Sequence, residues 1–146
     1  MKPEALQSNS LFQALDPEEA RLVASHVSEI RIPRNSLMIT EGERNYSLYM
    51  ILEGKVKVFL LDEAGQEVIL NYLHAGDQFG EISLFDDGHC SASVQTLTDC
   101  RFGVLEKDDF LALISAKPKV AMTLLKGVTR RLRDLSDNVR TLAANW

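Results

Sequence analysis

Two cysteines in 146 residues, Cys90 and Cys100, are too few for a disulfide framework or a four-thiolate cluster. The three histidines, His26, His74 and His89, fall at no zinc-ligand spacing, so no metal is expected. No apolar run approaches the ~20 residues of a membrane span. Met1-Lys2-Pro3-Glu4-Ala5 lacks the apolar stretch of a signal peptide, which implies a cytoplasmic chain without a membrane partner. Basic charge is also short, 16 Lys and Arg against 21 Asp and Glu, a poor global field for holding nucleic acid. No nucleophile–base pair stands at motif spacing, so catalytic residues are not expected.

Proline is missing from Arg34 to Lys117, between Pro33 and Pro118. Proline is poorly tolerated inside sheets, so the gap permits a strand-rich core. Within it Gly42, Gly54, Gly65, Gly76, Gly80 and Gly88 punctuate short apolar runs, as turns do in an all-β sandwich or barrel. Val56, Val58 and Leu60 alternate with Lys55, Lys57 and Phe59; Val68, Leu70 and Tyr72 with Glu67, Ile69 and Asn71; Cys100, Phe102 and Val104 with Arg101, Gly103 and Leu105. Period two is the strand signature. Leu48 to Leu52 is continuously apolar and reads as a strand buried on both faces, with Glu53-Gly54 as a hairpin turn after it.

Helices are expected on either side. Asp16-Pro17-Glu18-Glu19 combines a carboxylate cap, proline at the first helical position and glutamate at the third, and predicts a helix to about Val27. Asp108 opens a second, to about Ala116. After Pro118, Ala121, Leu125, Val128, Leu132, Leu135, Val139 and Leu142 follow one another at intervals of four and three, the seam of a coiled coil. Charge changes here too. Residues 117–146 hold seven basic and two acidic side chains, a net of +5, and the other 116 residues hold nine and nineteen, a net of −10. Residues 1–117 are thus read as a globular unit and 118–146 as a self-associating helix, with Gly127 marking a close approach or a bend.

The stretch that points to chemistry is Phe79-Gly80-Glu81-Ile82-Ser83-Leu84, followed by Asp87-Gly88 and Ser91-Ala92-Ser93-Val94. A glycine turn leading into one helical turn leaves amide N–H groups unpaired, which suits an anion, and Glu81 suits sugar hydroxyls as an acceptor. These residues resemble the phosphate-binding cassette of cyclic-nucleotide-binding domains, in particular the bacterial cyclic-AMP receptor protein and fumarate–nitrate regulator family. Leu48 to Val56, Gly76 to Glu81 and Arg130-Arg131-Leu132 also fit that family, so the resemblance spans roughly Leu11 to Leu142.

The resemblance implies a mainly β fold, an eight-stranded β-roll with flanking helices, followed by a long C-terminal helix that forms a homodimer through Leu125, Val128, Leu132, Leu135, Val139 and Leu142. It implies a small-molecule effector, cyclic AMP or cyclic GMP. Gly80, Ile82 and Ser83 resemble the backbone donors to its phosphate, Glu81 the acceptor from the ribose, Ser91 and Ala92 the returning segment, Val58 and Leu70 the pocket wall, and Ser136 a helix hydroxyl that meets the base. The family's phosphate-pairing arginine falls on Cys90, and no lysine or arginine lies between Lys57 and Arg101. A charge-assisted contact contributes about 1.5–3 kcal/mol, so its loss predicts a 10- to 100-fold weaker nucleotide. Cys90 reads as a small apolar filler, His89 as a solvated loop residue, and the hydroxyl expected beside Ser136 is Leu135. Family members that read DNA carry a helix-turn-helix beyond the dimer helix, and none is recognised here, so this chain reads as the sensor half of such a regulator, without direct DNA binding. A non-nucleotide effector such as haem is the other alternative, with His74 the histidine near the cassette. Cupin-type metal chemistry would need a His-x-His pair, which the sequence lacks, so no enzyme is expected.

Overall fold

The computed structural model describes residues 1–144, apart from the side chains of Ser83, Arg131 and Ala144. Its elements are α1 (Pro3–Gln7), α2 (Pro17–Ala24), β1 (Ser28–Ile32), β2 (Leu37–Ile39), β3 (Ser47–Glu53), β4 (Val56–Leu61), β5 (Glu67–Leu73), β6 (Gln78–Phe79), α3 (Ile82–Phe85), β7 (Ser93–Thr96), β8 (Cys100–Glu106), α4 (Lys107–Ala116) and α5 (Pro118–Ala144). The eight strands form two antiparallel four-stranded sheets, ordered β1-β8-β3-β6 and β2-β7-β4-β5.

Strand periodicity explains how the sheets close on each other. On β8, Cys100, Phe102 and Val104 face the space between the sheets and meet Ile39, Ile51, Val56, Phe79 and Val94. On β3, Ile51 joins this cluster, whereas Leu48 and Met50 point to the opposite face and join Leu6, Phe12, Val23, Phe110 and Val120. The unbroken apolar run therefore marks a strand covered on one side by a sheet and on the other by helices, as its composition predicts.

Glu53-Gly54 is not a hairpin. β3 pairs with β8 and β6, and β4 lies in the other sheet, so this turn carries the chain between layers. At Gly54, φ is +101°, and a Cβ would stand 2.5 Å from the Cys100 sulfur. The hairpin is made one strand later, between β4 and β5, where the Asp62 carboxylate accepts from the amides of Ala64 and Gln66.

At α2 the expected cap is complete. Asp16 accepts from the Glu19 amide at 2.8 Å, and Glu19 accepts from the Asp16 amide at 3.1 Å. The helix ends at Ala24 rather than near Val27, because the chain is drawn into β1 by pairing with β8. α4 begins at Lys107, one residue before Asp108. α5 is anchored at its base, where Val120 and Leu124 are buried and Val128 packs against the same cluster. Most of the seam, on another face of the helix, is uncovered. Leu125, Leu132, Leu135, Val139 and Leu142 are 57–62% exposed. Gly127 makes no close approach, since a Cβ there would meet nothing within 4 Å.

Candidate functional site

β6 is two residues long and pairs with β3 through Tyr49–Phe79 and Met50–Gln78. Its end, Phe79, is buried and stacked on Tyr49, with ring centroids 5.1 Å apart, and meets Phe102 edge-on at 5.5 Å. Burial among these rings pushes the Tyr49 phenol upward. Gly80 then turns the chain with φ +84°, and a Cβ there would lie 2.5 Å from the Ser47 carbonyl oxygen. Only glycine satisfies both conditions, and the close approach is to the protein's own β3. The turn sets Glu81 at the start of α3, a single helical turn fixed from beneath by the buried Leu84 and by Phe85, whose ring meets Phe110 edge-on at 5.6 Å.

Beside α3 lies a cavity of about 250 Å³, walled by β4, β5, β6, β7, the end of β2 and residues 89–92. Val58, Gly80, Glu81, Ile82, Cys90, Ser91 and Ala92 all line it, so seven residues singled out in the sequence converge there. Ser83 stands in the same turn of α3, its side chain outside the described set. Leu70 does not line the cavity. Val58 pairs with Asn71 while Phe59 pairs with Ile69, so a bulge leaves Leu70 without a partner residue, and its side chain is 54% exposed. Asn71 and Leu73 take the wall instead. Ser136 lies on the exposed part of α5, away from the lining residues of this chain. His74 is not in the wall either; His89 is.

His89 is engaged rather than merely solvated. Its Nδ1 lies 3.0 Å from the Asp87 carboxylate, and donation from His89 side chain and amide holds the Asp87 carboxyl below the usual range. The sequence also hid a neighbouring segment, residues 42–45, far upstream of Cys90. Residues 42–45 run beside residues 88–90: the Gly42 amide donates to the Cys90 carbonyl, the Cys90 amide to that of Glu43, the Asn45 amide to that of Gly88, and Arg44 bridges His89. The Arg44 guanidinium donates to the Asp87 carbonyl at 3.1 Å and to the Tyr46 hydroxyl at 3.3 Å, the latter raising its pKa further. Local spacing carried no signal for this strand-like pairing, because Glu43 and Arg44 belong to no periodic run.

Residues 29–117 match the model of the cyclic nucleotide-binding domain. The chain is 31% identical over 139 residues to the CRP-like cAMP-activated global transcriptional regulator of Mycobacterium tuberculosis, covering 95% of this chain and 62% of that one. It is 36% identical over 129 residues to the cyclic AMP receptor protein of Thermus thermophilus, covering 88% and 60%. The chain thus spans about three-fifths of the length of these relatives. Among solved structures it superposes on the N-terminal domain of a transcriptional regulator from Streptomyces coelicolor with a TM-score of 0.81 and 34% identity, covering 92% of this chain and 94% of that one. No helix among the described residues is long and apolar enough to cross a membrane. With its two-layer β-roll, cassette turn and long terminal helix, this chain belongs to the cyclic nucleotide-binding domain family, and CRP-like regulators are among the proteins it resembles.

Proposed function

We propose that this chain is a non-enzymatic, cytoplasmic, effector-sensing module that works as a homodimer. Its cavity beside Glu81 and Cys90 takes a cyclic nucleotide weakly, or a related small effector, and α5 reports the occupancy. The observation that carries this reading is the convergence of the cassette residues on one cavity, one helical turn away from the packing that anchors α5. Leu84 of α3 shares its core cluster with Phe110, Leu113, Val120 and Leu124, and Phe85 touches Phe110. A ligand that draws in α3 changes this packing and so biases the direction of α5. Because cores are close-packed, a small shift at α3 is transmitted to α5 instead of being absorbed.

The ligand's contacts follow from the wall. Val58, Leu73, Ala92 and Val94 supply apolar surface, and Glu81, Asn71 and Ser91 supply polar atoms for hydroxyl groups. With Cys90 in place of a cation, a cyclic phosphate loses a charge-assisted contact of about 1.5–3 kcal/mol and binds 10- to 100-fold more weakly than in a site that keeps it. Calorimetry with cyclic AMP and cyclic GMP tests the nucleotide version: weak, saturable heat is expected, and silence at millimolar nucleotide would remove it.

A second reading rests on the Mycobacterium tuberculosis relative, a transcriptional regulator longer than this chain. In it the module is the sensor half of such a regulator. Direct sequence-specific DNA binding is not assigned to this chain, and a salt-resistant, sequence-dependent gel shift would contradict that.

A further inference from the structure

We propose that the cavity selects an uncharged, hydroxyl-bearing small molecule with an apolar body over its phosphate-bearing analogue, and that Glu81 and Cys90 set this preference. The inference rests on the cavity reading above and narrows its effector class. Among the described residues, no lysine or arginine lines the cavity; its ionisable groups are Glu81, His89 and the Cys90 thiol. Any positive charge that His89 carries is matched by the Asp87 carboxylate at 3.0 Å. Two cations stand near the 86–90 loop and both are turned toward Tyr46. Arg44 donates to the Asp87 carbonyl and the Tyr46 hydroxyl, and Lys107 donates to the Asp86 carbonyl at 2.7 Å with its ammonium 5.9 Å from the Tyr46 ring. Neither side chain reaches the wall.

The wall therefore offers an entering phosphate no lysine or arginine side chain. An anion that leaves water for a half-enclosed, largely apolar site needs a matched charge, and no basic side chain is there to supply it. Hydroxyl groups suit the same wall: the Glu81 carboxylate accepts, and the Asn71 amide and Ser91 hydroxyl both donate and accept. At about 250 Å³ the cavity is smaller than the ~300–1,000 Å³ common for drug-sized ligands, which also favours a compact molecule without an appended phosphate.

The test is calorimetry on the full chain with adenosine and with 3′,5′-cyclic AMP at equal ionic strength. The wild type is expected to bind adenosine at least tenfold more tightly than cyclic AMP. Cys90→Arg is expected to reverse the order, with a gain for cyclic AMP of at least tenfold that shrinks as salt is added. Glu81→Gln is expected to weaken adenosine and narrow the wild-type ratio. Wild-type binding of cyclic AMP as tight as that of adenosine, or tighter, overturns the inference and leaves the proposed function standing. Cyclic AMP binding by Cys90→Arg alone, with no ligand taken by the wild type, overturns the uncharged-ligand class but keeps the nucleotide-shaped cavity. No heat from either compound with either protein overturns both this inference and the nucleotide version of the proposed function.

Discussion

The exposed seam of α5 permits a quantitative prediction about assembly. Leu125, Leu132, Leu135, Val139 and Leu142 each show 57–62% of their surface to solvent. Fully burying a leucine or valine contributes about 1.5–3 kcal/mol, so covering the exposed part of each contributes about 1–2 kcal/mol. Ten such side chains in a pair of helices give a gross gain of about 10–20 kcal/mol, against an association cost of about 4–15 kcal/mol. Leu132 lies mid-seam. Leu132→Asp removes two of these burials per dimer and sets two like charges facing each other, a loss of about 4 kcal/mol or more, which is roughly a thousandfold in dissociation constant. Sedimentation equilibrium at micromolar protein should show a wild-type dimer and a variant monomer, with circular dichroism reporting that the β-roll remains folded. Asp137→Asn, on the outer face of the same helix, should leave the dimer intact. A wild type that stays monomeric at tens of micromolar, or a Leu132→Asp variant that associates as the wild type does, would refute the reasoning.

Gly80→Ala should destabilise the domain by about 2–4 kcal/mol in urea titrations. The left-handed backbone costs about 1 kcal/mol, and the overlap with the Ser47 carbonyl, which a Cβ would approach to 2.5 Å, costs about 1–3 kcal/mol; an unchanged midpoint would contradict the geometry. The carboxyls of Asp16 and Asp87 are both held below their ordinary value, Asp16 chiefly by the Glu19 amide and Asp87 chiefly by His89. Their contribution to stability is therefore complete above about pH 4 and lost as pH falls through the lowered folded-state values. Melting temperature should drop as pH falls below about 4, and Asp16→Asn, which keeps a capping side chain, should flatten part of that drop; an equally steep drop in the variant would rule out the Asp16 share. Leu70→Ser should change stability by no more than about 0.5 kcal/mol and leave effector affinity unaltered, whereas a loss of affinity would return Leu70 to the cavity wall.

The features readable along the chain were those fixed by near neighbours. The capping box at Asp16 and Glu19, the period-two runs of β4 and β8, the doubly covered β3 and the seam of α5 each depend on residues within one or two turns, so composition and spacing reveal them. The cassette was legible because a glycine with positive φ, an acid and one helical turn are adjacent in sequence, and because their order resembles a known family. α1 had no comparable signal, being five residues long without a side-chain cap.

What escaped was set by partners far away in sequence. The Glu53-Gly54 turn looks like a hairpin locally, and only the competition of β8 and β6 for the edges of β3 sends β4 to the other sheet. A bulge opposite Val58 and Phe59 exchanged Leu70 for Asn71 and Leu73 in the cavity wall, since a slip of one residue turns a side chain to the other face. The pairing of residues 42–45 with 88–90 brought Arg44 beside His89 and yet tied its guanidinium to Tyr46 and Asp87. Local periodicity thus marked the longer strands and helices, and the cassette with its family resemblance named half of the cavity wall. Which strands pair, in what register, and where the nearest cations point were decided by tertiary packing, because those outcomes depend on side chains that meet only after the two sheets have closed.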